Sequence, residues 1–193
     1  MKKLYFTINI FLFLFSGMVV HPVFAQPNKG KFINASVGLG IVSPYDQETR
    51  MTTGSGFYAQ GEYVWCPRSW FGVIPYAGVV IAKARSEEKD VNQEEYNLKA
   101  NTALLGTKVR LAVPIPYVAP FIEVGVGVSL GSFYTYTKAD HYSKNGLLMH
   151  VPFTLGLALG RKHNVEVKFA YYFHESVRQD SGGAAFGLSF PLD

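Results

Sequence analysis

Apolar and polar side chains alternate with a period of two along most of the chain. In residues 147–160, seven apolar side chains occupy every second position, and mostly small or polar residues stand between them. The same alternation recurs in residues 32–42, 57–65, 103–113, 121–131, 165–173 and 184–192. This period predicts β-strands. An eighth strand is predicted between Ile74 and Arg85, although both of its faces are apolar and the pattern does not assign its inner and outer sides.

The connections between these eight strands alternate in length. Short connections are predicted at residues 66–71, 114–119 and 161–164, and longer polar ones at residues 43–53, 86–95, 135–145 and 175–183. Tight turns at one end and long loops at the other are typical of an up-and-down β-barrel in an outer membrane, with the long loops outside the cell. An even number of strands places both chain ends on the periplasmic side.

The composition of the two faces favours a membrane over water. The face with the large side chains carries almost no charge, whereas the opposite face is rich in Gly, Ala and Ser and holds the charged residues. A soluble barrel has the reverse arrangement, so an apolar exterior predicts lipid contact. Residues 111–130 are long enough for one membrane helix, but Pro114, Pro116 and Pro120 are poorly tolerated there and the period is two. The predicted fold is therefore an all-β, eight-stranded antiparallel transmembrane barrel.

The N-terminus has the features of a secretory signal peptide. Lys2 and Lys3 precede an apolar run that begins at Ile8, and Ala25 supplies a small residue at the expected cleavage position. Pro22 interrupts the run, which argues against the alternative of an uncleaved N-terminal helix. We predict a signal peptide at residues 1–25 and a single barrel domain at residues 26–193.

Several kinds of chemistry are not supported by the sequence. The formal net charge is +4, but no run of Lys or Arg concentrates it, so nucleic acid is not a predicted partner. Cys66 is the only cysteine and cannot form an internal disulfide. The histidines after the signal peptide show no metal-ligand spacing. We predict no metal and no cofactor.

Aromatic residues collect at the predicted strand ends, where rings with a polar edge favour the headgroup level of a membrane. The predicted aromatic girdle consists of Trp65, Trp70, Phe71, Tyr117, Phe133 and Tyr134.

Six charged residues fall on the predicted inner face, three of each sign. They are Glu62, Lys108, Arg110, Glu123, Glu166 and Lys168. Buried charges must be paired or solvated, and an eight-stranded barrel is just wide enough inside for side chains. A turn near Pro116 and Tyr117 would place Arg110 opposite Glu123. We interpret the set as a polar network that closes the interior, with a narrow polar conduit as the alternative.

The alternating segments at residues 121–131 and 147–160 and the terminal sequence AAFGLSFPL resemble the small eight-stranded outer-membrane barrels of the OmpA, OmpX and OmpW type, often described as porin-family domains. This resemblance implies a location in the bacterial outer membrane and contact with outer-membrane lipid and lipopolysaccharide. The narrow lumen, filled by inward side chains that can satisfy one another, and the exposed polar loops predict a structural or cell-surface role. In this role a surface partner would bind the long loops, with at most limited permeation of small solutes. A small-solute porin is one alternative.

The other alternative is a lipid-modifying hydrolase. His174-Glu175-Ser176 resembles the His-x-Ser element of the outer-membrane lipid A deacylase, in which the histidine acts as general base and the serine as nucleophile. In that family Asn follows the serine, whereas Val177 follows it here. The strand pattern also turns His174 and Ser176 inward or into a loop rather than toward lipid. We therefore predict a protein that is not an enzyme.

Overall fold

The chain forms a closed barrel in a computed structural model, which describes residues 29–44, 53–86, 96–136 and 141–192. The eight strands of these residues are β1 (Gly30–Pro44), β2 (Gly54–Arg68), β3 (Phe71–Ser86), β4 (Tyr96–Ala112), β5 (Val118–Tyr136), β6 (His141–Leu159), β7 (Val165–His174) and β8 (Gln179–Leu192). Each pairs antiparallel with the next, and β8 pairs with β1. The predicted fold class is confirmed. Residues 1–25 lie outside the described residues, so the signal peptide stays a prediction.

The two faces of the barrel wall follow the alternation in the sequence. In β1, Asn34 and Ser36 are buried, whereas Val37 and Leu39 are exposed on the outside. The structure also assigns the faces of β3, which the sequence left open. Inside the barrel it places Ile74, Tyr76, Val80, Ala82 and Ala84. Ile81 faces outward, so β3 is apolar on both sides because large interior side chains pack there.

The outer surface is apolar all the way round. Each strand exposes at least one large apolar side chain, for example Leu39, Phe57, Ile81, Leu105, Leu130, Met149, Phe169 and Phe186. A continuous apolar surface of this kind is disfavoured in water but matches hydrocarbon, and the closed ladder leaves few backbone groups unpaired. Among the described residues, no helix is long and apolar enough to cross a membrane.

The interior holds larger side chains than its content of small residues suggested. Tyr58 and Tyr172 are fully buried there, although glycines are common on the same face. These glycines make room for the rings: a Cβ atom added at Gly183 would lie 2.6 Å from the ring of Tyr58, and one added at Gly156 would collide with the ring of Phe121. Small and large inner residues thus fill the space together, as close packing requires.

The strands at the long-loop end differ from the prediction. Residues 135–145 were expected to form a long loop, but β5 extends to Tyr136 and β6 already begins at His141. Residues 175–183 were expected to form another, but a single turn of 3-10 helix (Glu175–Val177) leads directly into β8. Both predictions were wrong. β4 also begins at Tyr96, seven residues before its predicted start. The loops predicted at residues 43–53 and 86–95 lie largely outside the described residues.

The physical reason is that these strand ends project beyond the lipid. Their outward side chains face water and are polar, as at Lys99 and Asn101, whereas the inward ones are apolar, as at Leu98. The sense of the alternation is therefore reversed relative to the lipid-embedded part. A pattern of outward apolar residues does not identify such a strand.

Candidate functional site: the polar interior of the barrel

All six charges on the predicted inner face lie inside the barrel. Glu62 on β2, Lys108 on β4 and Glu123 on β5 are almost completely buried, and Glu166 and Lys168 on β7 are equally enclosed. Alternation in each strand turns these side chains toward the axis. The ladder between β4 and β5 pairs Arg110 directly with Glu123, the juxtaposition expected from the short turn between these strands.

The two lysines connect three carboxylates. Lys108 Nζ lies 2.6 Å from Glu62 Oε1 and 2.5 Å from Glu123 Oε2. Lys168 Nζ lies 2.7 Å from Glu62 Oε2 and 3.7 Å from Glu166 Oε2. Each ammonium group therefore bridges two carboxylates across the lumen, although β2 and β7 are not neighbours in the barrel.

Arg110 completes the set. Its Nε donates to Glu123 Oε1 at 2.7 Å, and its Nη1 and Nη2 donate to Glu166 at 2.6 and 3.2 Å. The guanidinium carbon also lies 4.0 Å from the centre of the Phe121 ring. The six side chains thus form a closed ring of alternating sign, here called the charge ring, in the order Glu62, Lys108, Glu123, Arg110, Glu166, Lys168 and back to Glu62. Each charge contacts two of opposite sign.

A layer of uncharged polar groups lies against the ring. Gln60 Nε2 donates to Glu62 Oε1 at 2.6 Å, and Gln60 Oε1 accepts hydrogen bonds from Tyr58 and Tyr172. The hydroxyl oxygens of these two tyrosines are 3.1 Å apart. Gln60 therefore links the tyrosine rings to the charge ring, so that the buried amide and hydroxyls have partners.

A third polar cluster, which the sequence did not suggest, joins one serine to two histidines. Ser129 Oγ lies 2.6 Å from His150 Nδ1 and 2.7 Å from His174 Nε2, and His150 Nε2 lies 2.5 Å from the hydroxyl of Tyr76. These residues come from four different strands. The sequence predicted an inward position for Ser129 and His150, a property that many other residues share, and it left the face of Tyr76 open.

The structure separates the two residues of the deacylase-like element. The side chain of His174 is fully buried inside the barrel, whereas Ser176 is exposed in the 3-10 turn that follows β7. His174 Nε2 is hydrogen-bonded to the hydroxyl of Ser129 instead. The His-x-Ser spacing thus does not bring a base to a nucleophile.

Four members of the predicted aromatic girdle face outward near the strand ends. Trp65, Trp70, Tyr117 and Tyr134 are exposed, and Phe71 is half-buried. Phe133 is the exception. It is 1 % exposed and lies inside the barrel, with its ring centre 4.6 Å from that of His174. Its place in the girdle was wrong because β5 continues to Tyr136, so the inward parity of Ser129 continues to Phe133.

A cavity of about 230 Å³ lies at the short-turn end of the barrel. Phe71, Phe121 and Cys66 form part of its wall, and Arg110 and Glu166 of the charge ring also line it. The ring therefore lies between this cavity and the tyrosine layer. In the part of the chain that the structure describes, no group of three or more His, Cys, Asp or Glu side chains is placed to hold a metal ion.

Comparison with known proteins gives matches in structure only. No protein-family model matches the chain. No match is found among curated proteins. Solved structures do match. Neisserial surface protein A is 9 % identical, with a TM-score of 0.52 over 85 % of this chain and 98 % of that one.

Two proteins of Pseudomonas aeruginosa give similar matches. The outer membrane protein OprG is 12 % identical, with a TM-score of 0.52 over 87 % of this chain and 99 % of that one. The N-terminal barrel domain of OprF is 9 % identical, with a TM-score of 0.50 over 84 % and 98 %. At these identities the comparison shows a shared fold, that of the small outer-membrane barrels. A closed barrel with an even strand number and a lipid-facing exterior belongs to the bacterial outer membrane.

Proposed function

We propose that this protein has a structural or cell-surface interaction role in the outer membrane and that its barrel passes at most small solutes at a low rate. The observation that supports this proposal is the charge ring, in which each of six buried charges contacts two of opposite sign. A ring satisfied in this way fills the cross-section of a narrow lumen.

Opening the lumen to a solute would require these pairs to separate. A charge that loses its partner in a poorly hydrated interior costs several kcal/mol. The adjoining tyrosine layer adds further obstruction, since Tyr58 and Tyr172 are hydrogen-bonded to Gln60 and to each other. A conducting state is therefore expected to be rare.

Planar-bilayer conductance tests this proposal. Purified wild-type protein is expected to show no large, stable openings, whereas a Glu166→Ala/Lys168→Ala variant, which breaks the ring, is expected to conduct more often. The variant with Lys31→Ala, an exposed residue at the barrel end, is the control and should behave as wild type. Large ohmic openings from the wild-type protein would instead favour the small-solute porin.

The outer end of the barrel supports a role in contacts at the cell surface. The strands β3 to β6 project there, and β6 exposes Ser143, Lys144 and Asn145 near its outer end. Polar groups at this height face the headgroups of lipopolysaccharide, so we include this lipid among the proposed partners, together with a surface partner at the loops. Nucleic acid is not included.

Catalysis is not part of the proposed role. His174 is hydrogen-bonded to Ser129 inside the barrel, whereas Ser176 is exposed. This separation supports a role without catalysis. We expect mass spectrometry of lipid A from cells with and without the protein to show the same acyl chains. Loss of an acyl chain that depends on both His174 and Ser176 would instead establish the lipid-modifying hydrolase.

A further inference from the structure

The barrel wall has a gap between β6 and β7 at its outer end. β6 pairs with β5 as far as its first residue, His141, but it pairs with β7 only from Val151 to Leu159. β7 ends at His174, and the chain turns directly into β8. No described strand therefore lies beside residues 142–150 of β6 on the β7 side.

The lower part of this gap lies at the depth of the lipid. Leu147 and Met149 are 66 % and 75 % exposed, and Val126 on the adjacent strand is 63 % exposed. Leu130 on β5 also faces outward and pairs with Leu147, so the two side chains lie at the same depth. Polar residues begin only above this level, where Asn145 pairs with Ser132. The apolar belt of the exterior thus continues into the gap.

The gap contains a slot of about 490 Å³. Its wall includes Leu147, Met149, Val151, Phe173, Glu175 and Ser176. Most of these side chains are apolar and Glu175 and Ser176 are polar residues of the turn above Phe173. His150 forms part of the wall and is held by hydrogen bonds to Tyr76 and Ser129. A fixed imidazole thus stands between the slot and the interior.

We propose that this slot binds the acyl chain of an outer-leaflet lipid, with a carbonyl, hydroxyl or amide group of that lipid paired to the free edge of β6. Open strand edges do not occur in the hydrocarbon region, because their N–H and C=O groups have no water to bond. Residues 147–150 have no described strand partner on the β7 side at lipid depth, and only the 3-10 turn Glu175–Val177 lies near them there. An acyl chain fills the apolar slot, and the polar group at its head supplies the missing hydrogen bonds.

The orientation of the barrel disfavours a second copy as the occupant. Two copies in one membrane have their outer ends on the same side, so their β6 strands run in the same direction across it. Two copies related by a two-fold axis contact each other through the same surface. Pairing of β6 with its own copy across such an axis requires antiparallel strands, and the shared orientation in the membrane makes them parallel. A peptide strand from solution would have to cross the headgroup layer to reach Met149. A lipid already occupies that layer.

Native mass spectrometry in a mild detergent tests the proposal. Protein extracted from outer membranes is expected to retain one lipid. Val151→Trp, which places an indole in the slot, is expected to lower lipid occupancy by about tenfold, the lower end of the effect that one methylene group has in an apolar pocket. Val37→Trp on β1 is the matched control, since Val37 is also an exposed outward valine but has a paired strand on each side. It should retain the lipid.

Heat-modifiable gel mobility verifies that each variant is folded. Should Val151→Trp fail to fold, Phe173→Trp takes its place in the experiment, because it narrows the slot from the opposite side. Reloading of delipidated protein from vesicles of phosphatidylethanolamine, with or without lipid A, identifies the lipid by its mass, and either lipid supports the site. The proposal would be overturned if wild-type protein carried no lipid, if Val37→Trp lost as much lipid as Val151→Trp, or if the bound molecule were a polypeptide. The result does not depend on the closed lumen, which conductance tests separately.

Discussion

Replacement of Glu62 by alanine is expected to lower the free energy of unfolding by about 3–5 kcal/mol, the cost of removing one partner from a buried ion pair. Glu62 Oε1 accepts from Lys108 and Gln60, and Oε2 accepts from Lys168. Without this carboxylate, two lysines that are almost inaccessible to water each lose one of their two counter-charges. The variant barrel must hold an excess positive charge inside or admit water to solvate it.

Urea unfolding in lipid vesicles measures this effect through the fluorescence of Trp65 and Trp70, both near the short turns. Lys31→Ala is the control because it removes an exposed charge outside the barrel interior, and its effect should stay within about 0.5 kcal/mol. A double variant with Glu62→Ala and Lys108→Met restores the charge balance and should recover part of the loss. Equal stability of Glu62→Ala and Lys31→Ala would mean that the ring is already hydrated.

The second large effect is expected from Gly127→Ala on the inner face of β5. The added Cβ atom would collide with His150 Nε2, lie 2.5 Å from the hydroxyl of Tyr76 and lie 2.7 Å from the backbone oxygen of Leu105. Overpacking of this kind costs about 1–3 kcal/mol. Displacement of the Tyr76 hydroxyl would also break its bond to His150, and a buried polar group left without a partner costs about 1–3 kcal/mol more.

Gly61→Ala provides the control for this prediction. Gly61 lies on the outside of β2, and a Cβ atom there would have Ala77 O as its nearest neighbour at 3.9 Å, an ordinary contact. Because glycine is unfavourable within a strand, this variant should be neutral or more stable by up to about 1 kcal/mol. The same urea titration compares the two. If both alanines are tolerated equally, the interior is less tightly packed than these distances indicate.

The lipid-embedded part of the fold could be predicted because two different environments act on alternate residues. Leu155 faces hydrocarbon and Thr154 faces the interior, so the period of two appears directly in the sequence. Beyond the lipid, water replaces hydrocarbon on the outside and the pattern reverses. For this reason Phe133 was assigned to the wrong face, and the polar stretch at residues 175–183 appeared to be a loop although β8 begins at Gln179.

Alternation predicted which charges face inward, but it predicted which charges contact each other only where a short turn fixes the register. The connection between β4 and β5 determines that Arg110 meets Glu123. The contact of Glu62 with Lys168 crosses the lumen between strands that are not neighbours, and it depends on how the closed barrel curves. The Ser129–His150–His174 cluster has the same origin, since no local spacing relates residues on three strands.

The charge ring contains three carboxylates, two ammonium groups and one guanidinium group, so its charges sum to zero. An electric potential across the membrane does work of about 2.3 kcal/mol per elementary charge per 100 mV only on net charge that moves through it. A shift of the whole ring along the barrel axis therefore involves almost no electrical work, whatever the sign of the potential. A voltage sensor needs unbalanced gating charges. Because the charge ring has no net charge, a membrane potential exerts no net force on it.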